Sequence, residues 1–168
     1  MELFILRHGI AVEKGVKGFL DRERPLTQEG IRQMKLVAKA IKKLKFSFDL
    51  IWTSPYTRAK ETAEIVGKTL RLVNRLKISK LLEPDADMRQ LIPPLKEKSK
   101  TTNCMLIIGH EPFLSQFISM LATGKTKLNL VLKKGGLCRL TLDPSKSMPC
   151  ASLECLMTPR QLLLLASN

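Results

Sequence analysis

The sequence predicts an α/β fold, because short apolar runs are repeatedly followed by a turn and then by residues with helical spacing. Three such runs are residues 2–6, 49–53 and 105–108, which end at Gly9, at Ser54-Pro55 and at Gly109-His110. An apolar run of this length that is bounded by Gly or Pro is typical of a buried strand. Strands that alternate with helices in this way indicate a sheet covered by helices.

Helical spacing follows each of the three turns. The first helix has Thr27 as a predicted N-cap and an apolar face, formed by Ile31, Met34, Val37, Ala38, Ile41 and Leu44. The second helix begins after Ser54-Pro55, carries Arg58 in its first turn and buries Ala59, Ala63, Val66 and Leu70. Glu111-Pro112 opens a third helix, which turns Phe113, Leu114, Phe117, Ile118 and Leu121 inward.

The remaining elements have weaker signals. Residues 77–82 are predicted as a strand, and residues 88–100 as a helix that is interrupted near Pro93-Pro94. Alternating apolar residues predict strands over 137–142 and 151–157, and a leucine-rich helix begins at Thr158-Pro159.

Length and composition predict one globular domain over residues 1–168, with 44% hydrophobic and 26% charged residues. No apolar run approaches membrane-spanning length, and we expect no signal peptide. The four cysteines form no C-x-x-C pair and the two histidines no H-x-x-x-H pair, which argues against a structural zinc site. Reduced thiols in the cytoplasm are the simplest interpretation.

The net charge of +14 predicts acidic partners, drawn in by long-range attraction. Nucleic acid and an acidic protein surface are both possible partners on charge alone. Aromatic residues make up only 5% of the chain, with one Trp and one Tyr, which is a poor supply for stacking bases. We expect most of the lysines to lie on solvated helix faces, and we expect no nucleic-acid partner.

Four charged or titratable side chains fall where the three predicted strands end. Arg7 and His8 follow the first run, Arg58 follows the second, and His110 follows the third. Ligands of open α/β sheets collect at the carboxyl ends of the strands. Arginine suits phosphate because its planar fork can donate two parallel hydrogen bonds, and a neighbouring imidazole could serve as a nucleophile.

Three motifs in this order and separation resemble those of the histidine phosphatase superfamily: L-R-H-G at 6–9, T-S-P-Y-T-R-A-K-E-T-A at 53–63 and G-H-E-P at 109–112. Within it, the chain is most similar to SixA-type protein phosphohistidine phosphatases. Its small size, Arg24-Pro25-Leu26-Thr27 and Met157-Thr158-Pro159 carry that similarity. The resemblance implies the phosphoglycerate-mutase-like fold, a three-layer α/β/α sandwich with a mostly parallel central sheet.

The resemblance also implies roles for individual residues. His8 would be the nucleophile that forms a phosphohistidine intermediate, which water then hydrolyses. Arg7, Arg58 and a protonated His110 would surround the phosphoryl oxygens, so that neither a metal ion nor another cofactor is needed. Arg24 would be a further phosphate or substrate contact.

The general acid is the least defined role. Glu83 is the best-placed carboxylate, with Asp85 and Asp87 behind it, although a loop carboxylate in solvent is the alternative interpretation. A phosphohistidine substrate needs less acid catalysis, because imidazole is a far better leaving group than an alkoxide.

The implied activity is the removal of a phosphoryl group from phosphohistidine on a protein, such as a histidine phosphotransfer protein. Two alternatives remain open at this stage. One is a small-molecule phosphomonoesterase of the same fold, which would need Glu83 as a working acid. The other is a non-catalytic module that binds phosphate or nucleic acid.

Overall fold

A six-stranded sheet forms the centre of the molecule in a computed structural model, which describes residues 1–167. The strands are β1 (Glu2–Arg7), β2 (Leu50–Thr53), β3 (Leu76–Ile78), β4 (Cys104–Gly109), β5 (Leu137–Leu142) and β6 (Ala151–Met157). Their order is β3-β2-β4-β1-β5-β6, and the first four are parallel. β5 is antiparallel to both of its neighbours, β1 and β6, and the other five strands share one direction, so the prediction of a mostly parallel sheet is confirmed.

Helices cover both faces of the sheet. They are α1 (Gln28–Lys43), α2 (Thr57–Leu70), α3 (Ile92–Lys98), α4 (Phe113–Thr123) and α5 (Pro159–Ser167). Successive side chains of a strand point to opposite faces. In β1, Leu3 and Ile5 therefore join a core with α3 and α4, whereas Phe4 and Leu6 join a second core with α1, α2 and α5. The predicted three-layer α/β/α architecture is confirmed.

The start of α1 is fixed to the loop that follows β1. The Thr27 hydroxyl accepts a hydrogen bond from the Gly30 amide at 3.0 Å, which confirms Thr27 as the N-cap. A Cβ atom on Gly30 would lie only 1.9 Å from the Ile10 carbonyl oxygen, so the approach requires glycine. Because Ile10 lies two residues after His8, this contact places the helix directly against the segment that carries His8.

Two predicted elements differ from the structure. The third strand ends at Ile78, and residues 80–82 form a 3-10 helix that buries Leu82. The predicted helix over 88–100 is a 3-10 helix at Met88–Leu91 followed by α3. Pro93 and Pro94 lie in the first turn of α3, where a missing amide proton costs little, so the interruption precedes the prolines.

None of the helices within residues 1–167 is long and apolar enough to cross a membrane. All four cysteines are free thiols. Burial raises the pKa of the Cys104 and Cys138 thiols to about 12, so both are protonated at neutral pH. The cytoplasmic location expected from the sequence stays a prediction.

Candidate active site

The carboxyl ends of three adjacent parallel strands meet at one cleft. Arg7 is the last residue of β1, and its register partner in β4 is Gly109, so His8 and His110 follow side by side. Their ring centroids lie 5.0 Å apart. Arg58 reaches the same cleft from the first turn of α2, and Arg24 reaches it from the loop before α1. The cleft, with a volume of about 510 Å³, therefore brings together five of the predicted site residues.

The imidazole of His8 is held as a neutral base with a defined tautomer. Its Nδ1 lies 2.7 Å from the Gly9 carbonyl oxygen, which can only accept, so Nδ1 carries the proton. The lone pair is then on Nε2, where it accepts a hydrogen bond from Arg58 Nε at 3.3 Å. Burial lowers the pKa of His8 to about 3, although the Gly9 hydrogen bond opposes it, and the positive charges of Arg58, Arg7 and Lys134 lower it further.

The guanidinium group of Arg7 is anchored at one nitrogen and free at another. Its Nη1 donates to the Leu132 carbonyl oxygen at 3.0 Å. Its buried Nε has no hydrogen-bond partner among residues 1–167. Burial lowers the pKa of Arg7, while the charge of Glu111 acts in the opposite direction. An unpaired buried donor of this kind is costly unless an anion satisfies it.

The carboxylate of Asp21 joins the two other arginines. Its Oδ1 accepts from Arg24 Nε at 3.0 Å and from Arg24 Nη2 at 2.8 Å, and its Oδ2 accepts from Arg58 Nη2 at 3.3 Å. The Asp21 carbonyl oxygen also accepts from Arg58 Nη1 at 2.6 Å. Partial burial acts to raise the pKa of Asp21, but the hydrogen bond from Arg24 and the charge of Arg58 outweigh it and lower the pKa.

The surroundings of His110 favour the neutral ring when no anion is bound, and the protonated ring expected beside a phosphoryl group stays a prediction. Burial lowers the pKa of His110 to about 2, and the neighbouring His8 ring and the positive charges of Arg58, Arg24 and Arg7 lower it further. Its Nε2 lies 2.8 Å from the Ser54 hydroxyl oxygen, while its buried Nδ1 has no partner in the described part of the chain. The three surrounding arginines disfavour a further positive charge, so a neighbouring anion would favour protonation of this ring.

The three predicted carboxylates do not lie together. Glu83 lines a separate cavity beside Tyr56 and Lys60, whereas Asp85 lines the cleft that contains His8. Asp87 caps a 3-10 helix by accepting from the Arg89 amide at 3.0 Å. Glu111 lines the cleft as well, and its carboxylate accepts from the Ser115 amide at 3.0 Å.

Three site residues were not predicted from the sequence. Asp21 and Lys134 come from loops with no regular pattern, and their position in the cleft depends on the fold. Ser54, which contacts His110, lies within the T-S-P-Y-T-R motif, so its place next to a strand end was a usable signal.

These side chains suit the transfer of a phosphoryl group. A neutral imidazole with an unprotonated Nε2 is a nucleophile, and arginines around it can stabilise negative charge that develops on phosphoryl oxygens. Within residues 1–167, no group of three or more His, Cys, Asp or Glu side chains is arranged to hold a metal ion.

Comparison with known families agrees with this chemistry. The family model of the histidine phosphatase superfamily (branch 1) matches residues 3–86, half of the chain, and that stretch contains His8 and Arg58. The chain belongs to the histidine phosphatase superfamily.

Several known proteins match over most of this chain. An uncharacterized protein of Picosynechococcus sp. is 34% identical over 82% of this chain and 82% of its own length. The phosphohistidine phosphatase SixA of Escherichia coli is 29% identical over 86% of this chain and 88% of its own length. The solved structure of the protein histidine phosphatase SixA complexed with tungstate superimposes with a TM-score of 0.86, at 27% identity, over 96% of this chain and 99% of that one.

Proposed function

We propose that the protein removes the phosphoryl group from phosphohistidine on a protein through a covalent intermediate on His8. The observation that carries the proposal is the state of His8. Its Nδ1–H is bound to Gly9, its pKa is about 3, and its Nε2 lone pair lies beside Arg58. The imidazole is therefore nucleophilic at neutral pH without a separate base.

The reaction follows in two displacements. His8 Nε2 attacks phosphorus, a new N–P bond forms, and the N–P bond to the substrate imidazole breaks, with the departing ring taking up a proton. Water then attacks the phosphoryl group on His8, which releases phosphate and restores the neutral imidazole. Arg7, Arg58 and His110 stabilise the charge on the phosphoryl oxygens in both steps.

The leaving group favours phosphohistidine over an alkyl phosphate. An alkoxide needs a proton from a general acid in the transition state, whereas a departing imidazole needs little help. Glu83, the predicted acid, lies in the neighbouring cavity rather than in the cleft. A substrate with a good leaving group does not depend on Glu83 in the cleft.

The rim of the cleft favours a protein as the carrier of the phosphohistidine. Residues 13–20 are exposed throughout and combine Lys14 and Lys17 with the apolar side chains of Val16, Phe19 and Leu20. On the other side, Lys133 and Lys134 follow the exposed Val131. A rim that mixes positive charge with exposed apolar side chains suits an acidic protein surface better than a small phosphoester. SixA, the relative in E. coli, is a phosphohistidine phosphatase.

A small-molecule phosphomonoesterase is the second candidate, and the placement of Asp85 and Glu111 favours it. Both carboxylates line the cleft that contains His8, so either could protonate a leaving alkoxide. In that case the protein would hydrolyse alkyl phosphates at rates comparable with its rates on phosphohistidine.

The two candidates are separated by their substrates. Phosphate release would be measured from a phosphorylated histidine phosphotransfer protein and from small alkyl phosphates, with wild type and His8→Ala in parallel. The proposal predicts a much larger kcat/KM on the phosphoprotein, abolished in His8→Ala. Comparable or faster turnover of the alkyl phosphates would favour the phosphomonoesterase, and full activity of His8→Ala would refute the nucleophile.

A further inference from the structure

We propose that Asp21 is a positioning residue, which orients Arg58 towards the nucleophilic nitrogen of His8 and keeps Arg24 beside it. The inference rests on the proposed role of His8 as the nucleophile. Asp21 lies in a 3-10 helix, Asp21–Glu23, between the exposed rim segment and α1.

The guanidinium group of Arg58 donates hydrogen bonds to two residues, Asp21 and His8. Both terminal nitrogens, Nη1 and Nη2, donate to Asp21, through its carbonyl oxygen and its carboxylate. The remaining nitrogen, Nε, donates to His8 Nε2. A planar guanidinium held at both ends of its fork has little rotational freedom. Asp21 therefore fixes the edge of Arg58 that faces the atom to which phosphorus would bond.

The same carboxylate offsets repulsion between two cations. Burial lowers the pKa of Arg58 and the charge of Arg24 lowers it further, whereas the carboxylate of Asp21 acts to raise it. Only 4% of the Arg58 side chain is exposed, so water does little to screen the repulsion. Arg24 also donates from Nη1 to the Val12 carbonyl oxygen at 2.5 Å, which anchors the beginning of the same loop. Removal of the carboxylate would leave Arg58 bound to residue 21 only through its backbone carbonyl oxygen, and would remove the negative charge between the two guanidinium groups.

A competing role for Asp21 predicts the opposite change in oxyanion affinity when the carboxylate is removed. If its carboxylate simply competed with a phosphoryl group for the arginines, its removal would tighten the binding of an oxyanion. The loss of one negative charge in the cleft would by itself act in that direction. If Asp21 positions the arginines, its removal weakens oxyanion binding in spite of the more favourable charge.

The test is the dissociation constant of tungstate, measured by calorimetry on wild type, Asp21→Asn and Glu23→Gln. Glu23→Gln is the matched control, because it removes the same charge from the same 3-10 helix and its amide oxygen can still accept from the Leu20 amide. We expect roughly 10-fold weaker binding in Asp21→Asn and unchanged binding in Glu23→Gln. Unchanged or tighter binding in Asp21→Asn would overturn the proposal.

A double-mutant cycle distinguishes positioning from a general effect on the fold. In an Arg58→Ala background, Asp21→Asn should lose the part of its effect on tungstate affinity that passes through Arg58, so the two losses should not add fully. Fully additive losses would overturn the proposal. Asp21→Ala serves in the same comparison if the asparagine variant does not fold.

Tungstate binding needs no turnover, so the outcome is independent of the proposed substrate. If the wild type failed to hydrolyse phosphohistidine while Asp21→Asn weakened tungstate binding, the proposed function would fail and the role of Asp21 would stand. If the wild type hydrolysed phosphohistidine normally and Asp21→Asn bound tungstate as tightly as the wild type, the proposed function would stand and the role of Asp21 would fail.

Discussion

His8 and His110 are buried bases in a positively charged cleft, and burial lowers the pKa of each ring, to about 3 and about 2. In the unfolded chain each ring titrates near 6.5, so the unfolded state binds more protons below that pH. Stability that is present above pH 6.5 is therefore lost as the pH falls from 6.5 towards 3.

We predict that the free energy of unfolding decreases below pH 6.5, with up to ~1.4 kcal/mol per pH unit from each histidine. Urea unfolding at a series of pH values would measure this decrease in the free energy of unfolding. In His8→Asn the slope should be smaller than in wild type by about one histidine's contribution. Equal slopes in both proteins would contradict a neutral, buried His8.

Arg58 donates a hydrogen bond to the nucleophile, so its substitution should lower kcat/KM by more than the loss of one positive charge would. We predict that Arg58→Ala lowers kcat/KM by about 10²–10³-fold, as removal of one preorganised donor commonly does. Arg58→Lys should recover only part of the activity, because a single ammonium group cannot hold Asp21 and face His8 together.

Steady-state kinetics on a phosphohistidine protein would measure these losses. Arg32→Ala is the control, since it removes an exposed arginine from α1. Full recovery by lysine would mean that Arg58 supplies only diffuse positive charge.

At the scale of elements, the site depends on how α1 is fixed against the loop after β1. We predict that Gly30→Ala destabilises the protein by about 1–3 kcal/mol and lowers activity, because its methyl group would collide with the Ile10 carbonyl. Gly67→Ala in α2 is the matched control, as its nearest neighbour, Val73 Cα, lies at an ordinary 3.5 Å.

Thermal unfolding of the two glycine variants would measure the difference. Alanine is the better helix former, so Gly67→Ala should be neutral or stabilising. A Gly30→Ala protein as stable as Gly67→Ala would show that the contact between α1 and Ile10 is not tight.

The elements with a clear period were predicted from the sequence, and those set by tertiary contacts were not. β6 and α1 follow from alternation and helical spacing, which depend only on neighbouring residues. The end of β3 at Ile78 does not, because Leu82 enters the core through a 3-10 turn rather than a strand. An apolar residue satisfies the pattern in either conformation.

At the scale of the whole molecule, the site too contains residues that a local pattern predicts and contacts that only the folded chain creates. His8 and His110 could be predicted because each directly follows a strand that the sequence marks, and Arg58 because it lies in the first turn of the helix after such a strand. The link between Asp21 and Arg58 could not, since it joins residues 37 positions apart and the sequence shows only an acidic residue in a loop. The separation of Glu83 from the cleft is likewise a property of the folded chain.

The net charge of +14 acts over the whole molecule and predicts a salt effect on the rate. An acidic phosphoprotein should be attracted by the field, so kcat/KM should fall as ionic strength rises from about 0.01 M to about 0.15 M, over which the Debye length shortens from about 30 Å to about 8 Å. Free phosphohistidine, which carries less charge, is the control and should respond less. Equal salt dependence for both substrates would contradict docking of an acidic protein surface.

The central claim is that the phosphoryl group passes from substrate phosphohistidine to His8. The most direct test is to mix the protein with a phosphoprotein labelled on histidine, quench at alkaline pH within the first turnover, and locate the label by mass spectrometry. We predict label on His8 in the wild type, lost on exposure to acid and absent from His8→Ala. Label on a serine, a cysteine or His110, with His8 unmodified, would contradict the account.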